Sequence, residues 1–277
     1  KGVVVCKDTP NFIGNRFFAV ASSFGLEHAL RNGYSIAEVD AITGPTIGRP
    51  KTATYRLLDL VGLDVMAHVN NNLYAAVPHD AYREMLRPEK TSALMTAMLE
   101  KKWLGNKVGQ GFYKQERVNG AREFWTLNPE TMTHEPTPKV RFDSIGAVRN
   151  VEDLGERVRK LLTFDDRAAN YVRDTLYYGF AYAAYVAPEI AYRLSDVDDA
   201  MRWGFSHEAG PFEMWDMLGV AETVEKMEAQ GLTVVPWVKE MLAAGHESFY
   251  KQNGTAQVYD FNAKAYRAAE PDKNIIL

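Results

Sequence analysis

Apolar residues recur at helical spacing from residue 12 to residue 30, and this pattern predicts a long helix. The recurring positions are Phe12, Phe17, Val20, Phe24 and Leu30. Gly33 ends the pattern. Ahead of the helix, residues 2–6 form a β-branched apolar run that predicts a short, fully buried strand, which Pro10 closes because it fixes φ. We therefore expect a buried strand that leads through a tight polar turn into the helix.

Helical periodicity covers most of the remaining chain. Ser35 and Glu38 have the spacing of a capping box, so a short helix is expected from there to Ile42. Further helical sequence follows at residues 55–69, 80–87 and 91–103. The longest helical segment covers residues 166–192 and is lined with Tyr171, Leu176, Phe180 and Tyr185.

Residues 105–140 have a different pattern. Glycines punctuate residues 105–111, and a short strand is predicted to begin at Phe112. Asn119-Gly120 is the strongest signal for a two-residue hairpin turn, and residues 124–127 supply the return strand. An irregular connector is expected after it, because prolines follow at Pro129, Pro136 and Pro138.

A hexad of the form apolar-apolar-Asp-apolar-apolar-Gly occurs at residues 57–62 and again at residues 214–219. Each copy follows a long helix, a short helix with a Ser-led capping signal, and a glycine/proline turn. Ser195 begins the second capping signal. Internal duplication is the economical explanation. The predicted fold is therefore mostly α, with two tandem helical domains joined by a short β-hairpin and a proline-rich connector.

The predicted domain boundaries follow these changes of pattern. The first helical domain takes residues 1–114, of which residues 1–8 are a residual strand of another domain. The hairpin and connector take 115–143, the second helical domain 144–268, and a linker 269–277. The chain begins without Met, directly in strand-like sequence, so we expect it to be part of a longer protein.

Composition narrows the class of protein. Apolar residues make up 46% and charged residues 25% of the chain, which is typical of globular proteins. The net charge of −4 gives no reason to propose nucleic acid or an anionic membrane as a partner. Cys6 is the single cysteine and lies in the predicted strand, which favours an inert core thiol. No run is long enough for a membrane span, and no residue spacing indicates a metal site.

Three motifs, in order along the first half, resemble segments of the NAD-dependent 3-hydroxyacyl-CoA dehydrogenases of fatty-acid β-oxidation. They are Asp-Thr-Pro-Asn-Phe-Ile-Gly-Asn-Arg at residues 8–16, Asp-Leu-Val-Gly-Leu-Asp at 59–64, and Gly-Asn-Lys-Val-Gly-Gln-Gly-Phe-Tyr at 105–113. The first resembles the segment that joins the nucleotide-binding domain to the helical C-terminal domain. Many members have Gly where Asn11 stands. The Asn variant and the duplication resemble the long, multifunctional bacterial branch.

The resemblance implies the activity of a longer, cytoplasmic enzyme. The implied reaction is the oxidation of an (S)-3-hydroxyacyl-CoA to the 3-ketoacyl-CoA, with NAD bound by a missing N-terminal domain. The family's His-Phe-Phe-Asn-Pro context and a Gly-x-Gly-x-x-Gly turn do not occur in this sequence, so neither the His-Glu acid/base pair nor an NAD site is expected here. This region alone is expected to be inactive. An enoyl-CoA hydratase domain is a candidate neighbour in the parent chain.

Asn15 is the candidate catalytic residue. A carboxamide offers a donor and an acceptor without charge, which suits holding a hydroxyl or carbonyl at a reacting carbon. The resemblance implies that Asn15 hydrogen-bonds the C3 oxygen of the substrate. The alternative is helix capping, which is common for Asn at a first turn. The motif around Asn15 favours the substrate role.

Four further residues are candidates for substrate binding. Arg16 would pair with anionic groups of CoA, although a salt bridge or a snorkelling side chain at the domain junction is the favoured alternative. The resemblance places Pro50 and Lys51, beside Arg49, in a loop that faces the acyl chain. Leu57 would line the same channel. The alternative for the two loop cations is that they are simply solvated.

Other polar residues are expected to be structural. Asp59 and Asp216 occupy matched positions in both halves, which favours capping of the following turn over catalysis. Three His-Glu pairs are adjacent in sequence, and adjacent side chains on a helix do not face each other. These pairs are His134-Glu135, His207-Glu208 and His246-Glu247.

Two other functions stay open. The chain would be a non-catalytic assembly module if the aromatic helix at residues 166–192 forms an interface between copies. It would be a relative acting on 3-hydroxybutyryl-CoA if its pocket takes that shorter substrate. A homo-oligomer is expected for helical domains of this kind.

Overall fold

The structure is a computed structural model that describes residues 2–253 and 255–269. In this part of the chain, α-helices predominate and two small antiparallel sheets accompany them. The helices are α1 (Gly14–Arg31), α2 (Ile36–Ile42), α3 (Tyr55–Val61), α4 (Leu63–Ala76), α5 (Glu89–Glu100), α6 (Asp143–Val148), α7 (Leu154–Leu161), α8 (Arg167–Ile190), α9 (Leu194–Gly204), α10 (Pro211–Leu218), α11 (Val220–Ala229) and α12 (Pro236–Ala243). The strands are β1 (Tyr113–Val118), β2 (Ala121–Asn128), β3 (Thr133–Pro136), β4 (Tyr250–Asn253), β5 (Thr255–Asp260) and β6 (Ala265–Ala268).

Packing divides the chain into two compact units that are not continuous in sequence. The first unit comprises Lys1–Ala21, Val151–Lys160 and Arg173–Leu277. The second unit comprises Ser22–Asn150 and Leu161–Val172. The chain passes from one unit to the other inside α1, between Asn150 and Val151, near the end of α7, and inside α8. The sequence boundaries at residues 114, 143 and 268 stay a prediction.

The main helices form where periodicity predicts them. α1 ends at Arg31, just before Gly33, and α8 covers most of residues 166–192. α2 begins with the predicted capping box: Ser35 Oγ accepts the Glu38 amide at 3.2 Å, and the Glu38 carboxylate accepts the Ser35 amide at 2.8 Å. Over residues 80–87 only a short 3₁₀ turn forms, at Arg83–Leu86, where a helix was predicted.

The second unit contains a three-stranded sheet in the order β1-β2-β3. Asn119 and Gly120 make the predicted hairpin turn with φ of 51° and 84°. The prediction of an irregular connector after it was wrong in part, since β3 pairs with β2 and places Pro136 opposite Trp125. Pro136 is the last residue of an edge strand, where the missing amide costs no ladder hydrogen bond.

The first unit contains a second sheet, in the order β4-β5-β6, which was not predicted from the sequence. Its strands are short, and much of their surface is exposed and polar, so no alternation of apolar residues announces them. Val258 and Tyr259 in β5 are buried. Behind them, the Trp237 ring lies parallel to Tyr259, and its indole N–H donates to the Ala184 carbonyl at 3.0 Å.

Residues 2–7 lie outside any strand, so the prediction of a buried strand in this segment was wrong. Val3 and Val5 are 58% and 56% exposed, and Cys6 is half-buried instead of lying in the core. A strand is stable only beside a partner strand, and none of the described residues pairs with this segment. The segment is held by α8 instead, where the Lys7 amide donates to the Ile190 carbonyl at 3.1 Å.

Two further predictions about helices need correction. Most aromatic residues of α8 are core residues, with Tyr171 and Phe180 each 1% exposed, so these residues do not form a free face for assembly, whereas Tyr185 is half-buried. Ser195 does not cap α9, which begins one residue earlier. The Asp196 carboxylate performs this role by accepting the Arg193 amide at 2.9 Å. In the described ranges, no helix has the length and apolar character that crossing a bilayer requires.

Candidate functional site

The turn before α1 has an unusual backbone that sets the position of Asn15. Asn11 and Phe12 have φ of 63° and 52°, so two successive non-glycine residues adopt the left-handed conformation. Ile13 then inserts into the core with 2% exposure, and α1 begins at Gly14. Asn15 is therefore the second residue of the helix and is exposed. The N-cap position lies before Gly14, so the capping alternative for Asn15 does not fit.

Arg16 lies beside Asn15 but points into the core of the first unit. It has no exposed surface, and its Nε donates to the Tyr182 hydroxyl at 3.0 Å. Its Nη1 is 3.3 Å from a carboxylate oxygen of Glu189. These contacts agree with the salt-bridge alternative for Arg16, and binding CoA would require them to break.

A hollow of 380 Å³ lies beside the start of α1 in the first unit. Its wall is mostly apolar or backbone and is formed by Gly2, Val4, Cys6, Phe12, Ile13, Gly14, Ala200, Trp203 and Gly204. Gly14 packs closely against the Phe205 ring, at 3.0 Å from the position that a Cβ would take. The Phe205 ring thus holds the first turn of α1 on one side, while Asn15 in the same turn is exposed.

The predicted substrate loop, residues 44–53, lies in the second unit. Lys51 is exposed, whereas Pro50 and Leu57 are half-buried. The loop folds on itself: the Arg49 amide donates to the Gly44 carbonyl at 3.2 Å, and the Ala53 amide to the Pro50 carbonyl at 2.9 Å. Asn15 and Arg16 belong to the first unit and these three residues to the second.

Asp40, in the last turn of α2, holds the chain directly after the C-terminal end of this loop. Its carboxylate accepts the backbone amides of Thr54, Tyr55 and Arg56 at 3.0, 2.6 and 3.1 Å. The Tyr113 hydroxyl donates to the same carboxylate at 2.8 Å. Burial raises the pKa of Asp40, although these hydrogen bonds favour its charged form. Asp40 was not among the residues predicted from the sequence.

Asp59 joins the second and third motifs into one structure. Its two carboxylate oxygens accept the amides of Phe112 and Tyr113, each at 2.8 Å. A Cβ on Gly105 or Gly111 would overlap Asp59, which explains two of the motif glycines. The structural role predicted for Asp59 fits, but its partners are more than fifty residues away and not in the following turn. Burial raises the pKa of Asp59 to about 6.

The first unit contains a network of the same design. Asp198 accepts the amides of Phe212 and Glu213 at 2.9 and 3.3 Å, and also the Tyr250 hydroxyl. Asp216 accepts the amides of Phe249 and Tyr250 at 2.7 and 2.8 Å. A common spacing could have revealed both networks, since 14 residues separate Asp40 from Thr54 and Asp198 from Phe212.

The histidines of all three His-Glu pairs have structural contacts, and the His207 ring meets the Phe205 ring at its edge. His134 Nε2 lies 2.9 Å from the Gly111 carbonyl, and its ring meets the edge of Trp103. Burial lowers the pKa of His134. The His246 ring packs against Tyr259 and Tyr266. Across the described residues, His, Cys, Asp and Glu form no group of three that could hold a metal ion.

Residues 12–115 match the model of the family described as 3-hydroxyacyl-CoA dehydrogenase, C-terminal domain. These residues belong to that family. The matched range of this family domain begins in the left-handed turn before α1 and ends in β1. It includes Asn15, the loop at residues 44–53, and the networks of Asp40 and Asp59.

Two similar proteins match more of the chain than the family model does. It is 42% identical over all 277 residues to a Bacillus subtilis (strain 168) protein named "Probable 3-hydroxyacyl-CoA dehydrogenase", and the match takes up 34% of that protein. It is 27% identical over 258 residues to a protein of Acinetobacter baumannii (strain SDF) named "Fatty acid oxidation complex subunit alpha", covering 90% of this chain and 32% of that one. The chain thus spans about a third of the length of these relatives.

A solved structure shares the fold. The crystal structure of 3-hydroxybutyryl-CoA dehydrogenase from Escherichia coli K12 aligns with 88% of this chain and 62% of that one, with a TM-score of 0.52. The two sequences are 18% identical. This likeness supports the mostly helical fold of the family.

Proposed function

We propose that this chain is the C-terminal region of an NAD-dependent 3-hydroxyacyl-CoA dehydrogenase, which oxidises (S)-3-hydroxyacyl-CoA to 3-ketoacyl-CoA in β-oxidation. The Bacillus subtilis relative supports this proposal, because its match covers the whole chain but only 34% of the relative. The rest of such a protein would supply the NAD site, the His-Glu pair and, in a multifunctional member, an enoyl-CoA hydratase. This region alone would then be inactive, and the whole enzyme would work in the cytoplasm.

The glycine-rich loop at residues 105–111 does not fit NAD. A dinucleotide site needs a glycine turn between a strand and a helix, so that the pyrophosphate meets the helix N-terminus. Here the loop leads into β1, and Gly105 and Gly111 close around Asp59, which leaves no room for a phosphate at those glycines. We therefore propose that NAD binds to a domain outside the described residues.

Asn15 carries the proposal. It is exposed in the second position of α1, and no hydrogen bond within the described residues occupies its carboxamide. The rigid turn and the buried Ile13 and Arg16 hold the backbone on either side. A fixed neutral carboxamide suits an oxygen that changes from hydroxyl to carbonyl, because it can accept from the first and donate to the second.

The two carboxylate networks support the proposal that the chain contains two tandem copies of the helical domain. Asp40, Asp59 and Tyr113 make the same bonds in the second unit as Asp198, Asp216 and Tyr250 in the first. Gly62 and Gly219 also match, since each has positive φ and separates two consecutive helices. The sequence copy with Asp198 would be a scaffold, because no counterpart of Asn15-Arg16 occurs near its long helix α8.

Asn15→Ala in the full-length parent tests the catalytic role. With acetoacetyl-CoA and NADH, we expect kcat to fall by about 10- to 100-fold, the equivalent of one lost hydrogen bond to the reacting oxygen. The melting temperature should change little, because Asn15 is exposed. Asn71→Ala, at an exposed position in α4, is the control and should leave kcat unchanged. Equal turnover in the two variants would remove Asn15 from the site.

Acyl-chain length separates the leading proposal from its closest alternative. A 3-hydroxybutyryl-CoA dehydrogenase would show its highest kcat/KM with the four-carbon substrate, whereas a β-oxidation enzyme would accept long chains as well. Comparing kcat/KM for a short and a long 3-hydroxyacyl-CoA decides between them. Self-association also stays a prediction, which light scattering of the purified protein would test.

A further inference from the structure

The loop at residues 44–53 is closed at its base by side chains from both ends. The Thr43 and Thr54 hydroxyls lie 2.8 Å apart, and Thr43 also donates to the Val39 carbonyl in α2. Asp40, one turn earlier in α2, accepts three successive amides on the other side of the loop. The C-terminal end of the loop is therefore connected to α2 by the Asp40 carboxylate and by the pair of threonine hydroxyls.

The loop needs this fastening because part of its backbone is strained. Ala53 has φ of 51°, in the left-handed region that is unfavourable for a residue with a Cβ. It is buried and directly precedes the amides that Asp40 accepts. When a carboxylate fixes the amides at 54–56, Ala53 cannot relax to an ordinary conformation without losing those bonds.

We propose that Asp40 is a positioning residue for acyl-CoA binding, which holds Pro50 and Lys51 in place through the amides at residues 54–56. This inference rests on the proposed function and on the resemblance to the family, which implies that Pro50 and Lys51 face the substrate. Asp40 does not touch the reacting atoms. Its loss should therefore weaken substrate binding while the chemical step, which depends on Asn15, stays nearly unchanged.

The chain supplies its own matched control. Asp198 accepts two amides at the start of α10 and a tyrosine hydroxyl, with the same spacing of 14 residues to the first amide. It is 1% exposed, and no predicted substrate residue belongs to its network. Asp40→Asn and Asp198→Asn remove the same kind of contact, so an effect on fold alone would appear in both variants.

The experiment measures kinetics and backbone exchange on the full-length parent with acetoacetyl-CoA and NADH. For Asp40→Asn we expect KM for acetoacetyl-CoA to rise about tenfold with kcat within about twofold, which corresponds to roughly 1.4 kcal/mol of ground-state binding. Asp198→Asn should keep the wild-type KM at a temperature where both variants are folded. Equal KM values for the two variants, or a loss in kcat without a change in KM, would overturn the proposal.

Hydrogen exchange gives a second readout that does not depend on activity. Asp40→Asn should speed exchange of the amides at 54–56 and in residues 44–53, and Asp198→Asn should do so at residues 212–213. Unchanged exchange at 44–56 would contradict the proposal even with an inactive enzyme. If either Asn variant fails to fold, Tyr113→Phe and Tyr250→Phe repeat the comparison by removing one hydroxyl each, with the same expected contrast in KM. Failure of the wild-type parent to reduce acetoacetyl-CoA would instead remove the proposed function.

Discussion

Asn11 shows how one residue type satisfies a demanding backbone position. With φ of 63°, it takes a conformation that Gly adopts freely and that Asn tolerates better than most residues. A Gly at this position would therefore take the same conformation without strain. Phe12 follows with φ of 52° and is 61% exposed, so its strain is not offset by full burial. The turn therefore fixes the direction in which α1, and with it Asn15, leaves the junction.

Substitution of Asn11 tests this requirement. Asn11→Gly should change the free energy of unfolding by less than about 0.5 kcal/mol, whereas Asn11→Val should lower it by about 1–2 kcal/mol, because a β-branched residue resists positive φ. Urea denaturation of the purified chain measures both. Asn71→Val, in the regular helix α4, gives the ordinary cost of the side-chain change, a few tenths of a kcal/mol. A similar cost at both positions would contradict the strain at Asn11.

Gly111 is required for space and not for its φ angle. An added Cβ would overlap the carboxylate of Asp59, so Gly111→Ala should lower the free energy of unfolding by more than about 3 kcal/mol. Gly146, in α6, has open space around it, and Gly146→Ala should stabilise the chain by about 0.5–1 kcal/mol. Thermal unfolding compares the two. A mild effect of Gly111→Ala would mean that the loop can move away from Asp59.

At the level of helices and strands, buried carboxylates connect elements that are distant in sequence. Asp59 in α3 fixes the start of β1, and Asp216 in α10 fixes the start of β4. The Lys107 ammonium adds an exposed ion pair with Asp64 at 2.7 Å, which contributes little to stability because solvent screens it. The sheets are small, so these bonds from helices to strand ends determine where each sheet attaches.

These carboxylates predict how stability depends on pH. Burial raises the pKa of Asp59 and of Asp216 from 3.8 to about 6, so between these values the folded chain binds more protons than the unfolded chain. The free energy of unfolding should therefore fall as the pH rises from about 4 to about 6, by up to roughly 3 kcal/mol for each group.

Asp59→Asn should remove one of these two contributions and flatten the profile. Urea unfolding at several pH values measures it, and Glu130→Gln, at an exposed position after β2, is the control. An unchanged slope between pH 4 and 6 in Asp59→Asn would show that this carboxyl does not titrate there.

At the scale of the whole molecule, the two compact units do not follow the order of the chain. The first 21 residues group with the second half of the chain, where Phe18 stacks on Phe205 with ring centroids 4.6 Å apart. Phe17 and Arg16 pack against Tyr182 in the same unit. The folding unit built around α8 to α12 therefore includes the N-terminal segment.

This grouping predicts that residues 144–268, the second domain expected from sequence, will not unfold cooperatively when expressed alone. The missing segment supplies Arg16, which is fully buried, and Phe17, which is 8% exposed. The lost burial of such side chains costs several kcal/mol, a large share of a domain's stability. Adding residues 2–21 as a peptide should restore a sharper transition in circular dichroism. A cooperative transition without the peptide would show that the sequence boundary is also a folding boundary.

The sequence pattern predicted the structural elements that depend only on residues close together in the chain. The bounds of α1, α2 and α8 follow from apolar spacing, capping residues and glycine stops, and the Asn119-Gly120 turn follows from the conformations that these two residues allow. Family likeness, carried by three short motifs, also came from the chain alone, as did Asn15 as a candidate. The networks of Asp40 and Asp198 did not, since nothing local marks an Asp whose partners lie 14 and more residues away.

The amino-acid order was sufficient for the helical class and for the family, because both are encoded in spacing over a few residues. The tertiary structure determined three features. Residues 2–7 form no strand, a second sheet forms, and Arg16 is buried beside the exposed Asn15. Each of these depends on which distant segment meets the residue: a strand needs a partner, and a carboxylate needs amides aimed at it. Such long-range partners are chosen by the packed chain as a whole.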